Sequence, residues 1–244
     1  MKNIEITIPV LNEAATLEAQ IRAARDYIHA ELKDLAKISI VIADNGSVDE
    51  TSEIAARLAH EFYDVFYLRL EERGVGRALK KSWGDSSADI VGYMDLDLAT
   101  GLDHLKDAFV PLLRDDADIV SGSRLAAGAQ VIGRSLLRTF VSNVFNMMVR
   151  IYFRTSFTDG MCGFKFLKRD KLKRLIDAGA TNDGWFFSTE LLVCAESLEF
   201  RYKDIPVTWT DDQNSKVRIG KLAVEYMRSM QRLKRHLRSK AAIL

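Results

Sequence analysis

Two cysteines in 244 residues, Cys162 and Cys194, cannot build a disulfide framework. Their neighbours read as ordinary strand and helix sequence, so a reducing cytoplasm is the expected compartment. Histidine is scarce as well: the four in the chain are scattered, none at metal-like spacing from another His or from a Cys. They are read as structural. An excess of charge of one sign is missing, the net being +1, which excludes an overall electrostatic preference for nucleic acid or acidic substrates and makes any preference local. No uninterrupted apolar run approaches the roughly 18 residues that a bilayer span needs. The N-terminal "MKNIEITIPVLNE" enters a strand pattern within three residues, so no signal peptide is expected. The chain is expected to be soluble or to lie on a membrane surface. Internal repeats and low-complexity linkers are lacking too.

What is present is a large apolar fraction, 48%, enough to bury a sizeable core in one domain with a C-terminal appendage. The first half alternates short β-rich runs ("IEITIPV", "ISIVIAD", "DVFYLRL", "DIVGYMDLD") with helical patterns over 13–35, 50–62 and 74–86. Such alternation predicts βαβ units, hence an α/β fold with a mostly parallel central sheet flanked by helices. "ISIVIA" and "IVGYM" are apolar almost throughout, as strands covered on both faces are. A further unit joins a helix over 102–113 to "DIVSGSR". After Arg124 the pattern changes: 134–154 reads as an amphipathic helix interrupted by Arg138, Asn143, Asn146 and Arg150, followed by the loop "TSFTDGMCGFKFLKRD" and a strand ending in "IPVTWT". Residues 1–219 are expected to form one domain and 220–244 a basic amphipathic helix, with Glu225 the one acid in the tail from Lys216 onward.

In an open parallel sheet, ligands bind beyond the carboxyl ends of the strands. "PVLNE" (9–13), "ADNGSVDET" (43–51), "DLD" (95–97) and "SGSR" (121–124) all fall there. Each alone has a bland explanation: Asn45-Gly46 suits a turn, and Asn12, Ser47 or Asp49 suits a helix cap. Capping does not account for Asp95 and Asp97, two carboxylates on one side of the chain that repel each other unless something positive stands between them. A divalent cation, Mg²⁺ or Mn²⁺, held by one or two carboxylates and substrate phosphates would neutralise a departing diphosphate. That is the chemistry of glycosyl transfer from a nucleotide sugar.

Together, "IPVLNE", "ADNGSVDET", "GVGRALKKSW", "VGYMDLDLATG", "SGSR", "TDGMCGFKFLKRD", "DGWFFSTELL" and "IPVTWTDDQNSKV" resemble the inverting family 2 glycosyltransferases of GT-A fold, and most closely the polyprenyl-phosphate (dolichyl-phosphate) glucosyl- and mannosyltransferases. The resemblance covers roughly 3–219. It implies that Pro9, Asn12 and Glu13 border the base and ribose of the nucleotide, that Asp44 contacts the base, and that Asp97 is the main metal ligand with Asp95 beside it. It places the turn around Gly76 near the nucleotide, where backbone amides can face ligand oxygens, and Arg124 and Lys216 on donor or acceptor phosphate. Arg134 and Arg138 are candidates for the lipid phosphate, and Lys165 for the same cationic role.

Two departures from the family pattern stand out. Asn45 occupies a place where many relatives carry a second acid. Ala99 stands where a side chain often helps to hold the metal, so weaker binding, or reliance on water and Asp159, is expected. Asp159-Gly160 reads either as a plain turn or as part of a loop over sugar and acceptor. A phosphate monoester with a second pKa of about 6 is already ionised at neutral pH and needs little help from a base such as Glu190.

The expected reaction is metal-dependent, inverting transfer of a hexose, glucose before mannose, from a nucleotide sugar to polyprenyl phosphate. The alternatives are a related transferase with a soluble or glycan acceptor, or a nucleotide-sugar-binding protein without catalysis. The 134–154 helix and the tail carry the arginine-flanked apolar pattern of interfacial helices, so peripheral docking on the cytoplasmic leaflet is expected. Packing of the first helix on the sheet, with the tail solvated or in an oligomer contact, is the other reading. No nucleic-acid module accompanies the basic tail.

Overall fold

The computed structural model of the chain describes residues 1–210 and 219–241. Its central sheet grows from the βαβ alternation of the first half: β1 (Asn3–Val10), α1 (Leu17–Tyr27), β2 (Lys37–Asp44), α2 (Thr51–Glu61), β3 (Val65–Arg69), α3 (Val75–Asp85) and β4 (Ile90–Met94). Then follow α4 (His104–Leu113), β5 (Ile119–Ser123), β6 (Gln130–Ile132), α5 (Leu136–Phe153) and β7 (Phe164–Lys168). The chain continues with α6 (Leu172–Asp177), α7 (Phe187–Ser197), β8 (Tyr202–Pro206), β9 (Thr208–Thr210) and α8 (Ile219–Ala241). Seven strands pair in the order β3-β2-β1-β4-β7-β5-β8. All run parallel except β7, which is antiparallel to both β4 and β5.

Both faces of this sheet are covered, so its inner strands bury side chains on both sides, apolar for the most part, with Glu5 and Thr7 of β1 the buried polar residues that bond Ser82 of α3. Ile4, Ile6 and Ile8 of β1 face Leu17 and Ile21 of α1 and Phe109 of α4 in one core. Val91 and Tyr93 of β4 face the other way, onto Trp83 of α3 and Phe187 and Leu191 of α7. The tail helix α8 adds Tyr226, Met230 and Leu233 to this second core, so its apolar face is buried in the protein. The expected first helix starts later than Glu13, because the turn closed by the amides of Thr16 and Leu17 on the Glu13 carbonyl (3.1 and 2.9 Å) comes first. The segment read as one strand through "IPVTWT" is two. The Val207 amide donates to the Ser123 carbonyl (3.2 Å), after which β9 leaves the main sheet and pairs with β6.

Candidate active site

Strand β4 ends at Met94 and delivers Asp95 and Asp97 at its carboxyl end. The Asp95 amide donates to the Gly163 carbonyl (3.2 Å), and its carboxylate lies where a side chain at Gly163 would be: a Cβ there would meet Asp95 Oδ2 at 1.9 Å. Only glycine lets the loop before β7 approach so closely. Burial and the neighbouring Asp97 carboxylate push the Asp95 carboxyl up to about 7, against the opposing pull of Arg124 and Lys165. Asp97 is exposed, and its Oδ1 accepts the Ala99 amide (3.0 Å). Ala99 thus shapes the turn through its backbone.

Facing this pair is a buried ion pair. Arg124, which follows β5, donates through Nε to Asp159 Oδ2 (2.7 Å) and through an Nη to Oδ1 (3.0 Å), the two-pronged geometry that guanidinium and carboxylate favour. Asp159 is fully buried, and burial alone would raise its carboxyl, yet Arg124 holds it down at about 2. Asn146 of α5 braces the pair from behind. Its Nδ2 donates to Asp159 Oδ1 (3.3 Å), and its Oδ1 accepts the Gly160 amide (2.8 Å). Next to it, the Thr158 amide and hydroxyl both donate to Asp204 (2.7 and 2.6 Å).

The residues expected around the nucleotide gather at the ends of β1 and β2. Asn12 and Glu13 are exposed and Pro9 is half-buried. Asn12 sits in the left-handed region (φ 55°), its amide donating to Ser47 Oγ and its Oδ1 accepting the Val48 amide, both at 2.9 Å. Asp44 is fully buried and accepts from the Ser47 amide (2.8 Å), the Tyr67 hydroxyl (3.1 Å) and Arg69 (3.2 Å). In this conformation it fixes its neighbours instead of presenting a free carboxylate to a base.

Three expectations need correcting. Gly76 does not offer its amide to a ligand: it donates to the Gly184 carbonyl (3.2 Å), and the Arg77 amide to Asp183 (3.1 Å). A Cβ at Gly76 would lie 2.2 Å from the Asn182 carbonyl oxygen, so this glycine serves helix–loop packing. Asp159 is no reserve metal ligand, since both oxygens accept from Arg124. Lys165, on β7, is fully buried and donates to the Cys162 carbonyl (2.6 Å); burial pulls its ammonium down. It supplies positive potential behind Asp95 and does not reach the crevice. Glu190 is likewise buried, accepting the Thr181 and Asn182 amides (2.8 and 2.7 Å) and Arg232 (2.5 Å), which ties α8 to α7 and leaves it no role as a base.

Arg134 and Arg138 lie at the start of α5, and Lys216 lies outside the described residues. The Arg134 guanidinium is 5.2 Å from the Trp209 ring centre, and that of Arg124 is 5.3 Å from the same ring. Sequence reasoning missed Trp209 and Asn146 as site residues. An asparagine interrupting an apolar helix, and a tryptophan in a three-residue strand next to a polar run, were the signals available.

The carboxylate pair fits a hard divalent cation: it offers two oxygen donors whose burial and mutual repulsion, which raise the Asp95 carboxyl, a cation between them would relieve. Among the described residues no group of three or more His, Cys, Asp or Glu could hold a metal ion, so substrate oxygens would have to complete the coordination.

A mostly parallel sheet with one reversed strand, flanked by helices and ending in this acidic pair, is the GT-A arrangement. Its fold matches that of glucosyl-3-phosphoglycerate synthase from Mycobacterium tuberculosis, solved with Mn²⁺, UDP and phosphoglyceric acid: TM-score 0.70, 16% identity, 97% of this chain and 78% of that one covered. The chain belongs to glycosyl transferase family 2, whose profile it matches over residues 5–176. It is 33% identical over 215 residues to glycosyltransferase AglD of Haloferax volcanii, covering 88% of this chain but 34% of that protein. To the dolichyl-phosphate beta-glucosyltransferase of Mus musculus it is 26% identical over 227 residues, covering 88% and 70%. The chain thus spans about a third of AglD.

Proposed function

We propose that the protein transfers a hexose, glucose before mannose, with inversion, from a nucleotide diphosphate sugar to polyprenyl phosphate. The observation that carries this reading is the Asp95–Asp97 pair set opposite the buried Arg124–Asp159 pair at the carboxyl end of the sheet. The similarity to dolichyl-phosphate beta-glucosyltransferases supports the lipid phosphate and the glucose, and the Mn²⁺ and UDP of the structural neighbour support a metal and a nucleotide.

Asp97 and Asp95 would hold Mg²⁺ or Mn²⁺, which when bound offsets the charge developing on the departing nucleoside diphosphate. Arg124 places a permanent positive charge near the reacting groups, and Asp159 and Asn146 keep it in orientation. An oxygen of the acceptor phosphate forms the new bond to the anomeric carbon as the bond to the diphosphate oxygen breaks and its electron pair leaves with the diphosphate. Attack from the opposite face inverts the configuration, and the ionised phosphate needs no base.

The acceptor places the enzyme at a bilayer. No described helix is long and apolar enough to cross a membrane. On α5, however, Leu137, Phe140, Val144, Met147 and Ile151 are all exposed at helical spacing, with Arg150 and Arg154 exposed alongside. An exposed apolar stripe with basic flanks suits a helix lying in the headgroup region. Purified protein incubated with Mn²⁺, polyprenyl phosphate and a panel of nucleotide sugars, with mass spectrometry of the lipid fraction, tests the reading. A metal-dependent glycosyl lipid from one donor supports it. Donor consumed without glycolipid moves the acceptor to a soluble molecule, and no turnover with any donor refutes it.

A further inference from the structure

On α1 and α2, Arg22, Arg25 and Arg57 pair with Glu18, Glu61 and Asp64, and near β5 Lys168 and Arg201 pair with Asp118. Where α5 ends, this pattern breaks. Arg150, Arg154, Lys234 and Arg238 make no ion pair with a carboxylate among the described residues. Two helices bring them together: Lys234 of α8 donates through Nζ to the Tyr152 carbonyl (2.6 Å) and lies 5.2 and 5.4 Å from the Tyr152 and Phe153 ring centres. Burial and the charges of Arg238 and Arg154 pull its ammonium down. Glu196 also meets the loop after α5, but its carboxylate is taken up by the Ser156 and Phe157 amides (2.8 Å each). The helix dipole favours cations in the last turn of α5, which accounts for Arg150 and Arg154. It does not account for Lys234 and Arg238, which arrive from α8 four residues apart, a spacing at which like charges repel.

Beside this cluster lies an open cleft. It consists of two adjoining hollows of about 230 and 370 Å³ that share Met147 and Arg150 in their walls, Asn143 lining the first and Ile151 the second. Asn143, Met147 and Arg150 follow one another at helical spacing along α5. The Asn143 amide and the Arg150 guanidinium are exposed and make no hydrogen bond among the described residues. Met147 and Ile151 are 55% and 72% exposed and continue the apolar stripe of the helix. A soluble anion would use the cations and leave this rim idle, whereas a phosphate that carries acyl chains uses both.

We infer that the cleft at the end of α5 is a headgroup site for an anionic phospholipid of the bilayer, with Arg150 and Asn143 taking the phosphodiester and the acyl chains lying along Met147 and Ile151. Arg154, Lys234 and Arg238 draw the anionic surface in. The inference deepens the bilayer placement proposed above and rests on it, but does not need the sugar transfer. Asn146, which braces the Arg124–Asp159 pair, also lines the first hollow, so a lipid held here seats the catalytic pair next to the headgroup layer.

The test is flotation of wild type, Arg150→Gln and Lys33→Gln with vesicles of phosphatidylcholine alone and of phosphatidylcholine and phosphatidylglycerol in equal parts. Lys33 is an exposed control on the other face of the sheet, since its neighbour Leu32 belongs to the first core and Val149 of α5 to the second. Wild type should favour the anionic vesicles. Arg150→Gln should lower that partition about fivefold, the effect of one basic residue at an anionic surface, with the melting temperature and the binding to phosphatidylcholine unchanged; Lys33→Gln should match wild type throughout. Calorimetric titration with dihexanoyl phosphatidylglycerol should show a single site that is lost in Arg150→Gln, and inorganic phosphate should not bind there. Wild type that floats equally on both vesicles, a loss in Lys33→Gln as large as in Arg150→Gln, or phosphate bound as tightly as the lipid would each overturn the inference while leaving the bilayer placement in force. Wild type that floats on neither vesicle refutes the placement and the inference with it.

Discussion

Replacing Asp159 by Asn removes one charge from a fully buried pair while keeping its shape, and the cost can be worked out in two ways. The carboxyl sits at about 2 instead of 3.8, a gap worth about 2 kcal/mol of stability at neutral pH. That figure covers the carboxylate alone. The variant also strands the Arg124 guanidinium, and breaking a buried pair from one side costs on the order of 3–5 kcal/mol. Asn can still accept one bond from Arg124, so about 3 kcal/mol is expected. For a chain of this size that is a fall in Tm of roughly 6–10 °C. Because the folded-state pKa lies below the ordinary value, the stabilisation is fully present above about pH 4 and is lost as pH falls toward 2. The gap between wild type and variant should therefore be flat from about pH 5 to 8 and narrow by about 1 kcal/mol at pH 3. Thermal and urea melts across that range measure it. A variant within about 1 kcal/mol of wild type at pH 7.5, or a gap as wide at pH 3 as at neutrality, would show that the pair is not the electrostatic unit described.

Three further outcomes are expected. Asp97→Asn should abolish metal-dependent glycolipid formation, with a loss of at least about 100-fold, while its exposed side chain leaves the Tm nearly unchanged; activity at wild-type level would remove Asp97 from the machinery. Phe140→Asp with Ile151→Asp should release the protein from anionic vesicles in a flotation assay without unfolding it, whereas truncating α8 would confound the test, because Tyr226, Met230 and Leu233 are part of the core. Intact wild type that never floats refutes docking. Cys162 and Cys194 are both buried, and burial pushes the Cys162 thiol up to about 11; neither should react with iodoacetamide at pH 8 until the chain is unfolded, as mass spectrometry would show.

The parallel half of the sheet was legible because its strands repeat a simple physical pattern, apolar on both faces with helical periodicity between. The Asp95–Asp97 pair was legible too, since no capping role accounts for its spacing. Exposure was not. Lys165 reads as a cation like any other, and only the antiparallel insertion of β7 shows that its ammonium is walled in behind Asp95. Gly76 carries the glycine-rich look of a phosphate cradle, yet the loop at 182–184, a hundred residues away in sequence, takes its amide. Both misreadings have the same origin: a side chain's type is local, whereas what it faces is decided by long-range packing.

The position of β7 also constrains how the molecule can fold. The strand lies between β4 and β5, yet it is made after both, and α5 intervenes. Until Phe164–Lys168 emerges, β4 and β5 have no partner between them, and each presents a bare hydrogen-bonding edge. Strands β1 to β4 can assemble early from near neighbours, but the second half of the sheet waits on a late, long-range insertion, which slows folding and lengthens exposure to wrong pairings. That same insertion carries Gly163 against Asp95 and seats Lys165 behind it. The carboxylate pair thus acquires its environment in the step that closes the sheet, and a nascent chain still lacking β7 holds both aspartates without the surroundings that make them a site.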